Sequence, residues 1–218
     1  EEDLRIHLLV DASESMRFGV PPKIDHARRI AASIGYVGLV GMDRVRVHVL
    51  GAPGVRSFSP GLRGRRMAGR LFDFCEGIAA EGPLSLNAGL RQFALQHGDE
   101  RGVAVILSDF LDPDGYEDGL RYLLGKKLDT YAIHVLGADE LEPELVGDLR
   151  LLDSETSAAA EVSMSAPLLE AYRARLARFC GTLKDHCTAR GVPYFFVSTA
   201  TPFETVALSY LRRGGLLR

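Results

Sequence analysis

The chain has 218 residues, of which 46% are hydrophobic and 25% are charged, a balance that suits one α/β domain with a sizeable core. Its formal net charge of −3 gives no reason to expect nucleic acid as a partner. The chain contains no run of roughly 18 apolar residues, so the sequence predicts no membrane span. Three cysteines without a secretory signal indicate reduced thiols in the cytoplasm. The first residue is not Met, so we expect a fragment of a longer protein.

The most informative motif lies near the start of the chain. Residues 4–10 are mostly apolar, which predicts a buried parallel strand, and the oxygen-bearing side chains of Asp11, Ser13 and Ser15 follow it. In open α/β sheets, ligands bind at the carboxyl ends of the strands, near the point where the strand order reverses. One carboxylate and two hydroxyls suit Mg²⁺ or Mn²⁺ better than zinc. Taken alone, the motif also fits a strand-to-helix turn in which the serines cap backbone amides.

The rest of the chain alternates strand-like with helix-like segments. Continuous or period-two apolar patterns predict strands, and apolar residues at helical spacing predict helices. We therefore expect an α/β fold with a three-layer, doubly wound, mostly parallel Rossmann-like β-sheet and one antiparallel edge strand at residues 55–58. The other expected strands are residues 43–50, 103–107, 128–136 and 192–197, and the expected helices are residues 23–40, 67–74, 86–96, 116–124, 167–189 and 202–211.

Residues 138–165 differ in composition from the segments on either side. Residues 138–145 are acidic, and residues 149–162 contain two short strand-like pieces around residues 153–156. This pattern predicts a small insertion or an edge hairpin, and we assign residues 153–156 no further role. The chain shows no internal repeat, low-complexity tract or clear linker, so residues 1–218 are expected to form a single domain.

Two further loops carry oxygen-bearing side chains. Residues 103–107 form the most continuous apolar run in the chain, and Ser108 and Asp109 follow it directly. This second buried strand therefore also ends in a carboxylate. Ser85 precedes a predicted helix and supplies a hydroxyl on a third loop. The predicted metal ligands are thus Asp11, Ser13, Ser15, Ser85 and Asp109.

This arrangement resembles the metal-ion-dependent adhesion site (MIDAS) of von Willebrand factor A (vWA) domains, which has Asp-x-Ser-x-Ser, Thr and Asp on three successive loops. The resemblance implies that Ser13, Ser15 and Ser85 coordinate Mg²⁺ or Mn²⁺, while Asp11 and Asp109 act through water or serine hydrogen bonds. A divalent cation held mostly by neutral oxygens remains electrophilic and keeps a position open for a partner's carboxylate. The implied function is a non-enzymatic protein–protein interaction module.

Over essentially its whole length, the chain is similar to the bacterial DUF58 family. The similarity is carried by DASESM at residues 11–16, VILSDF at residues 105–110 and LDSET at residues 152–156, which precedes a tyrosine-bearing helix. Members usually carry a further N-terminal segment, sometimes membrane-anchored, and are often encoded beside MoxR-type AAA+ ATPases. The resemblance therefore implies a MoxR-type AAA+ ATPase as the partner, and a cytoplasmic chain whose full-length protein can be membrane-associated through that segment.

The second loop departs from the family pattern. The family usually has Gly-Gly-Thr-Asp-Leu there, whereas residues 82–86 are GPLSL, so Leu84 stands where the metal-binding Thr is expected. Leucine offers no oxygen to a metal. Either Ser85 takes over through a shift of the loop, or the site lacks this ligand.

Three alternative functions remain open. A degenerate vWA scaffold would bind partners without metal, and a nucleotide-binding Rossmann domain would need Gly-x-Gly-x-x-Gly after the first strand. A metal-dependent hydrolase or phosphotransferase would use Asp11 as nucleophile or ligand. Against it, the sequence offers no second carboxylate next to Asp11, no lysine that fits a phosphatase arrangement and no obvious general base. His7, His48 and His134 lie in predicted strands, and we expect them to be packed residues.

Overall fold

The computed structural model describes residues 4–51, 54–83, 85–97, 101–126, 128–143, 147–152, 159–164 and 166–202. The strands are β1 (Arg5–Asp11), β2 (Arg44–Gly51), β3 (Gly54–Phe58), β4 (Leu62–Arg63), β5 (Gly102–Ser108), β6 (Leu128–Leu136), β7 (Gly147–Leu152), β8 (Ala159–Met164) and β9 (Tyr194–Ser198). The helices are α1 (Lys23–Val40), α2 (Ala68–Glu76), α3 (Leu86–His97), α4 (Glu117–Leu124), α5 (Ala138–Leu141) and α6 (Ala166–Thr188). Two 3₁₀ turns, Glu14–Arg17 and Arg65–Met67, lie between them.

The main sheet is mixed but mostly parallel. Within the described ranges its strand order is β3-β2-β1-β5-β6-β9, and β4 also pairs with β2. Strands β1, β2, β5, β6 and β9 run parallel, whereas β3 and β4 run antiparallel to β2. The predicted fold class is therefore confirmed, and the antiparallel edge at residues 55–58 belongs to β3.

The strand order reverses between β1 and β5. From β1 the chain first adds β2 on one side and later returns to pair β5 on the other side. Val10 of β1 is the register partner of Leu107 of β5, so the residues that follow them leave the sheet side by side. Connections at such a switch point diverge, and a crevice opens between the two carboxyl ends.

Both faces of the sheet are covered by helices. In β1, Leu8 and Val10 join a core cluster with α1 and α2, whereas Leu9 between them joins a second cluster with α3, α4 and α6. In β5, Val105 likewise joins the first cluster and Ile106 joins the second. Successive strand residues point to opposite faces, and a parallel sheet buried on both faces therefore has continuous apolar strands.

Helix α1 lies very close to the sheet. A Cβ atom built on Gly38 would lie 2.6 Å from Cδ1 of Ile6 and 2.9 Å from Cγ2 of Val45. Real side chains essentially never approach so closely, so glycine lets the helix pack directly on β1 and β2. This close packing holds the last turns of α1 against β1 and β2.

The strand histidines are packed, as expected. His7, His48 and His134 are all buried, and His7 Nδ1 lies 3.1 Å from His48 Nε2. Burial, with lesser electrostatic contributions from His7, His97 and Arg46, lowers the pKa of His48 to about 2. Burial likewise lowers the pKa of His134 to about 4.

Within residues 138–165, where the sequence predicts a small insertion or an edge hairpin, β7 and β8 form a two-stranded antiparallel sheet separate from the main sheet. Residues 153–156, Leu84 and nearly all of the helix predicted at residues 202–211 lie outside the described residues. Among the helices that are described, none combines the length and the apolar character that crossing a membrane requires.

Candidate functional site

Asp11 ends β1, and its carboxylate is enclosed by hydrogen-bond donors. The Ser13 backbone N–H and the Ser13 hydroxyl donate to Oδ1 at 2.9 and 2.7 Å. The Ser108 hydroxyl, at the end of β5, donates to Oδ2 at 2.5 Å. Only 1% of Asp11 is exposed. Both strand ends at the switch point therefore hold this one carboxylate.

The second carboxylate of the crevice is Asp109. Its Oδ2 accepts a 2.9 Å hydrogen bond from the Ser15 hydroxyl, and its Oδ1 accepts the Leu111 backbone N–H at 3.0 Å. Ser15 and Ser13 are also neighbours, with their hydroxyl oxygens 3.0 Å apart. Four of the five predicted site residues thus lie together, and with Ser108 they form what we call the hydroxyl–carboxylate cluster: Asp11, Ser13, Ser15, Ser108 and Asp109.

The two hydroxyls of the first loop face each other with lone pairs. A hydroxyl has one hydrogen to donate. Either oxygen can donate across the 3.0 Å contact between them, but when the Ser13 hydrogen goes to Asp11 and the Ser15 hydrogen goes to Asp109, neither does. Two neutral oxygens therefore present unused acceptor capacity at the same point.

The fifth predicted residue, Ser85, has a different role in the described contacts. Its hydroxyl accepts the Ala88 backbone N–H at 3.4 Å, a long N-terminal cap of α3. The second loop still reaches the first, because Gly82 O accepts the Glu14 backbone N–H at 2.8 Å. No described hydrogen bond joins Ser85 to the hydroxyl–carboxylate cluster, so its role as a metal ligand stays a prediction.

The electrostatics of the cluster disfavour the charged form of Asp11. Burial, reinforced by the nearby Asp109 carboxylate, raises the pKa of Asp11 to about 7, although hydrogen bonds from Ser108 and Ser13 oppose this shift. An ionised Asp11 is thus a buried charge that lacks a paired cation among the described ion pairs. Such groups occur at functional sites more often than elsewhere.

Two residues beside the cluster, Lys23 and Glu140, are not predicted from the sequence. The Lys23 ammonium donates to Asp109 Oδ2 at 2.7 Å and to Glu140 Oε1 at 2.6 Å. Burial alone would lower the pKa of Lys23, but the two carboxylates outweigh it and raise that pKa. A lysine in the first turn of a helix opposes the helix dipole, and this signal marks Lys23 in the sequence. Nothing distinguishes Glu140 within its acidic segment.

These contacts correct one argument made from the sequence. Asp11 does have a second carboxylate nearby, because β5 brings Asp109 next to it, and α1 brings in Lys23. No group of three or more His, Cys, Asp or Glu side chains in the described ranges is arranged to hold a metal ion. The predicted site depends mainly on serine hydroxyls, which such a grouping does not include.

Solved structures with the same fold support this architecture. The chain is similar to an aerotolerance-related membrane protein from Bacteroides fragilis (TM-score 0.58, 13% identity, 96% of this chain and 97% of that chain). It is also similar to the conserved hypothetical protein BatB from Bacteroides thetaiotaomicron (TM-score 0.56, 11% identity, 97% and 99%). The VWA domain of SpRpn10 matches with a TM-score of 0.50 at 13% identity over 95% and 94% of the two chains. At these identities the likeness establishes the fold alone, a vWA-like fold.

Proteins of similar sequence include two from mycobacteria. The chain is 28% identical over 190 residues to the uncharacterized proteins Mb1516 of Mycobacterium bovis and Rv1480 of Mycobacterium tuberculosis, a match that covers 82% of this chain. The match spans only 59% of the length of those relatives. The family described as "Protein of unknown function DUF58" matches residues 1–179. This chain therefore belongs to the DUF58 family.

Proposed function

We propose that this chain is a non-enzymatic protein–protein interaction module that binds an acidic side chain of a partner at the carboxyl edge of its sheet. The observation that carries the proposal is the Ser13–Ser15 pair, whose hydroxyl hydrogens both go to carboxylates. The remaining lone pairs of these serines attract a cation. A cation at this edge in turn attracts a carboxylate from outside.

The donor set fits Mg²⁺ or Mn²⁺. Oxygen ligands bind Mg²⁺ at about 2.1 Å, so adjacent ligands of an octahedron are about 3.0 Å apart. The two serine hydroxyl oxygens have this separation, 3.0 Å. Ser13 and Ser15 would hold the ion directly, with Asp11 and Asp109 behind them. A bound divalent cation would supply an electrophilic open position for a partner's carboxylate.

Two features predict that such an ion is held weakly. Ser85 caps α3, so the third hydroxyl of the predicted set is engaged elsewhere. Lys23 already places a positive charge on Asp109. If the ion does not bind at all, the degenerate-scaffold alternative, a vWA-like domain that binds partners without metal, takes its place.

For the partner, we propose a MoxR-type AAA+ ATPase. This follows from the DUF58 membership, since members are often encoded beside such ATPases. One protein with a similar fold is described as a membrane protein, and we propose that the longer protein containing this chain is membrane-associated through another segment, with this chain in the cytoplasm.

A hydrolase or phosphotransferase finds less support in the geometry. A nucleophilic Asp11 would need an exposed oxygen, yet both of its oxygens accept hydrogen bonds and only 1% of the residue is exposed. The strand histidines His7, His48 and His134, which could otherwise serve as a general base, are buried. We therefore propose recognition and no reaction.

Calorimetric titration of Mg²⁺ and Mn²⁺ into metal-free protein tests the proposal. We expect binding by the wild type, its loss in Asp11→Ala, and its retention in Asp185→Ala, which removes an exposed carboxylate on α6 as a matched control. Equal binding by the wild type and Asp11→Ala would contradict the site. A second titration with a MoxR-type ATPase present tests whether the partner's carboxylate is required to hold the ion.

A further inference from the structure

The Lys23 ammonium is a buried cation that lies between the carboxylates of Asp109 and Glu140. Its side chain is only 1% exposed, and it forms ion pairs with Asp109 Oδ2 at 2.7 Å and Glu140 Oε1 at 2.6 Å. Removing an ammonium from water is costly unless carboxylates surround it. The two carboxylates together therefore compensate for the burial of the Lys23 ammonium.

The two carboxylates differ in how firmly they are held. Asp109 directly follows β5, is buried, and accepts further hydrogen bonds from Ser15 and Leu111. Glu140 lies on the four-residue helix α5, and its side chain is 12% exposed. Its second oxygen accepts the Gly137 backbone N–H at 2.7 Å. Asp109 is thus a fixed part of the site, whereas Glu140 reaches it from the surface.

We propose that Lys23 is itself a carboxylate-binding group, and that an acidic side chain of a partner protein replaces Glu140 on it. Glu140 is then an internal substitute that keeps the ammonium paired until the partner arrives. The exchange swaps one carboxylate for another, so the buried charge stays balanced. It needs no metal. The inference rests on the proposed function only for the identity of the occupant as a partner's acidic residue.

The surface around Glu140 fits such an occupant. Phe18, Val20 and Leu111 are 53%, 84% and 40% exposed, and they lie in the loops that follow Ser15 and Asp109. Gly19, between Phe18 and Val20, lies beside the turn before α5, because a Cβ built on it would lie 3.7 Å from Cα of Gly137. An acidic residue with apolar neighbours would pair with Lys23 and cover these apolar side chains.

Chemical rescue tests the exchange, with acetate as the probe because it is the isolated carboxylate of such a side chain. Glu140→Ala should unfold at a lower temperature than the wild type. With EDTA present and no partner, replacing about 100 mM chloride by acetate should raise its Tm by on the order of 3–5 °C if acetate binds with a Kd of roughly 10 mM. Glu142→Ala, which removes an exposed carboxylate two residues away, and the wild type should gain less than about 1 °C.

The double variant Lys23→Met/Glu140→Ala separates binding at Lys23 from a general effect of acetate. The Tm of this double variant should be the same in acetate as in chloride. An equal Tm for Glu140→Ala in acetate and chloride, or an equal gain in the double variant, would overturn the inference. These measurements involve neither metal nor ATPase, so their failure would leave the metal-mediated proposal untouched, and a failed metal titration would leave this test untouched.

Glu140→Gln provides a second measurement if Glu140→Ala does not fold. The amide keeps the shape of Glu140 and removes its charge. Acetate should then shift the Lys23 ammonium resonance in ¹H–¹⁵N NMR spectra in a saturable way, with at least about a tenfold lower half-saturating concentration than in the wild type. An unresponsive resonance in Glu140→Gln would overturn the inference.

Discussion

The Ser15 hydroxyl donates a 2.9 Å hydrogen bond to Asp109, a residue 94 positions later in the chain. The contact joins the loop after β1 to the loop after β5. It exists because the strand order reverses between these strands, so their carboxyl ends are neighbours while their connections diverge. The site is thus a property of the sheet topology, and it depends on the β1–β5 register.

Replacing Lys23 by Met should strengthen divalent-metal binding. Lys23 neutralises Asp109 and adds a positive charge beside the serine pair. Its loss should raise the affinity for Mn²⁺ by about tenfold or more, since like charges in a partly buried site repel strongly. In the absence of metal, the variant should lose about 3–5 kcal/mol of folding free energy, because two carboxylates lose their buried partner.

Calorimetry with Mn²⁺, together with thermal unfolding with and without Mn²⁺, measures both effects. Lys184→Met is the matched control, because Lys184 is an exposed lysine on α6 and should change neither quantity. Unchanged or weaker Mn²⁺ binding by Lys23→Met would show that the ammonium does not oppose a metal at this site.

The sequence predicts those site residues that follow strands directly. Asp11 and Asp109 each end an apolar run, and a parallel sheet brings such ends to the same edge. Lys23 and Glu140 could not be predicted in the same way. Each reaches the cluster through a long side chain from a helix, and the direction of that side chain depends on how the helix packs.

Substitutions at Ser85 and Leu84 should affect Mn²⁺ affinity differently. Ser85→Ala should cost about 0.5–1 kcal/mol of stability through the lost α3 cap, and should leave Mn²⁺ affinity unchanged. Leu84→Thr should tighten Mn²⁺ if the loop keeps the family register, because it restores a hydroxyl at the expected position. Urea unfolding and calorimetry on the two variants measure these effects. Loss of Mn²⁺ binding in Ser85→Ala would identify Ser85 as the third ligand.

His48 should make the protein sensitive to mild acid. Burial lowers its pKa to about 2, whereas the unfolded chain takes up this proton near pH 6.5. The contribution of His48 to stability should therefore be complete above pH 6.5 and fall below it, by about 1.4 kcal/mol per pH unit. The raised pKa of Asp11 acts in the opposite direction between its ordinary value of 3.8 and about 7, so the comparison with a His48 variant isolates the histidine. The rings and charges that face His48 are His7 on β1, Phe93 and His97 on α3, Phe58 on β3, and Arg46 on β2 itself.

Urea unfolding at pH 7.5, 6.5 and 5.5 tests the role of His48. His48→Gln should reduce the fall in stability between pH 6.5 and 5.5 by the equivalent of about one proton. The pH dependence that remains combines His134, whose pKa burial lowers to about 4, with Asp11, whose raised pKa has the opposite effect on stability. An unchanged pH dependence in His48→Gln would assign the acid sensitivity to other groups.

The close approach of α1 to the sheet predicts opposite signs for two glycine substitutions. Gly38→Ala should destabilise the protein by about 1–3 kcal/mol, because the new methyl group would overlap Ile6 and Val45. Gly181→Ala in α6 should stabilise it by up to about 1 kcal/mol, since no described atom lies within 4 Å of the new methyl group and alanine favours a helix. Urea unfolding measures both changes. If Gly38→Ala is as stable as the wild type, the last turns of α1 do not pack on β1 and β2 as tightly as described.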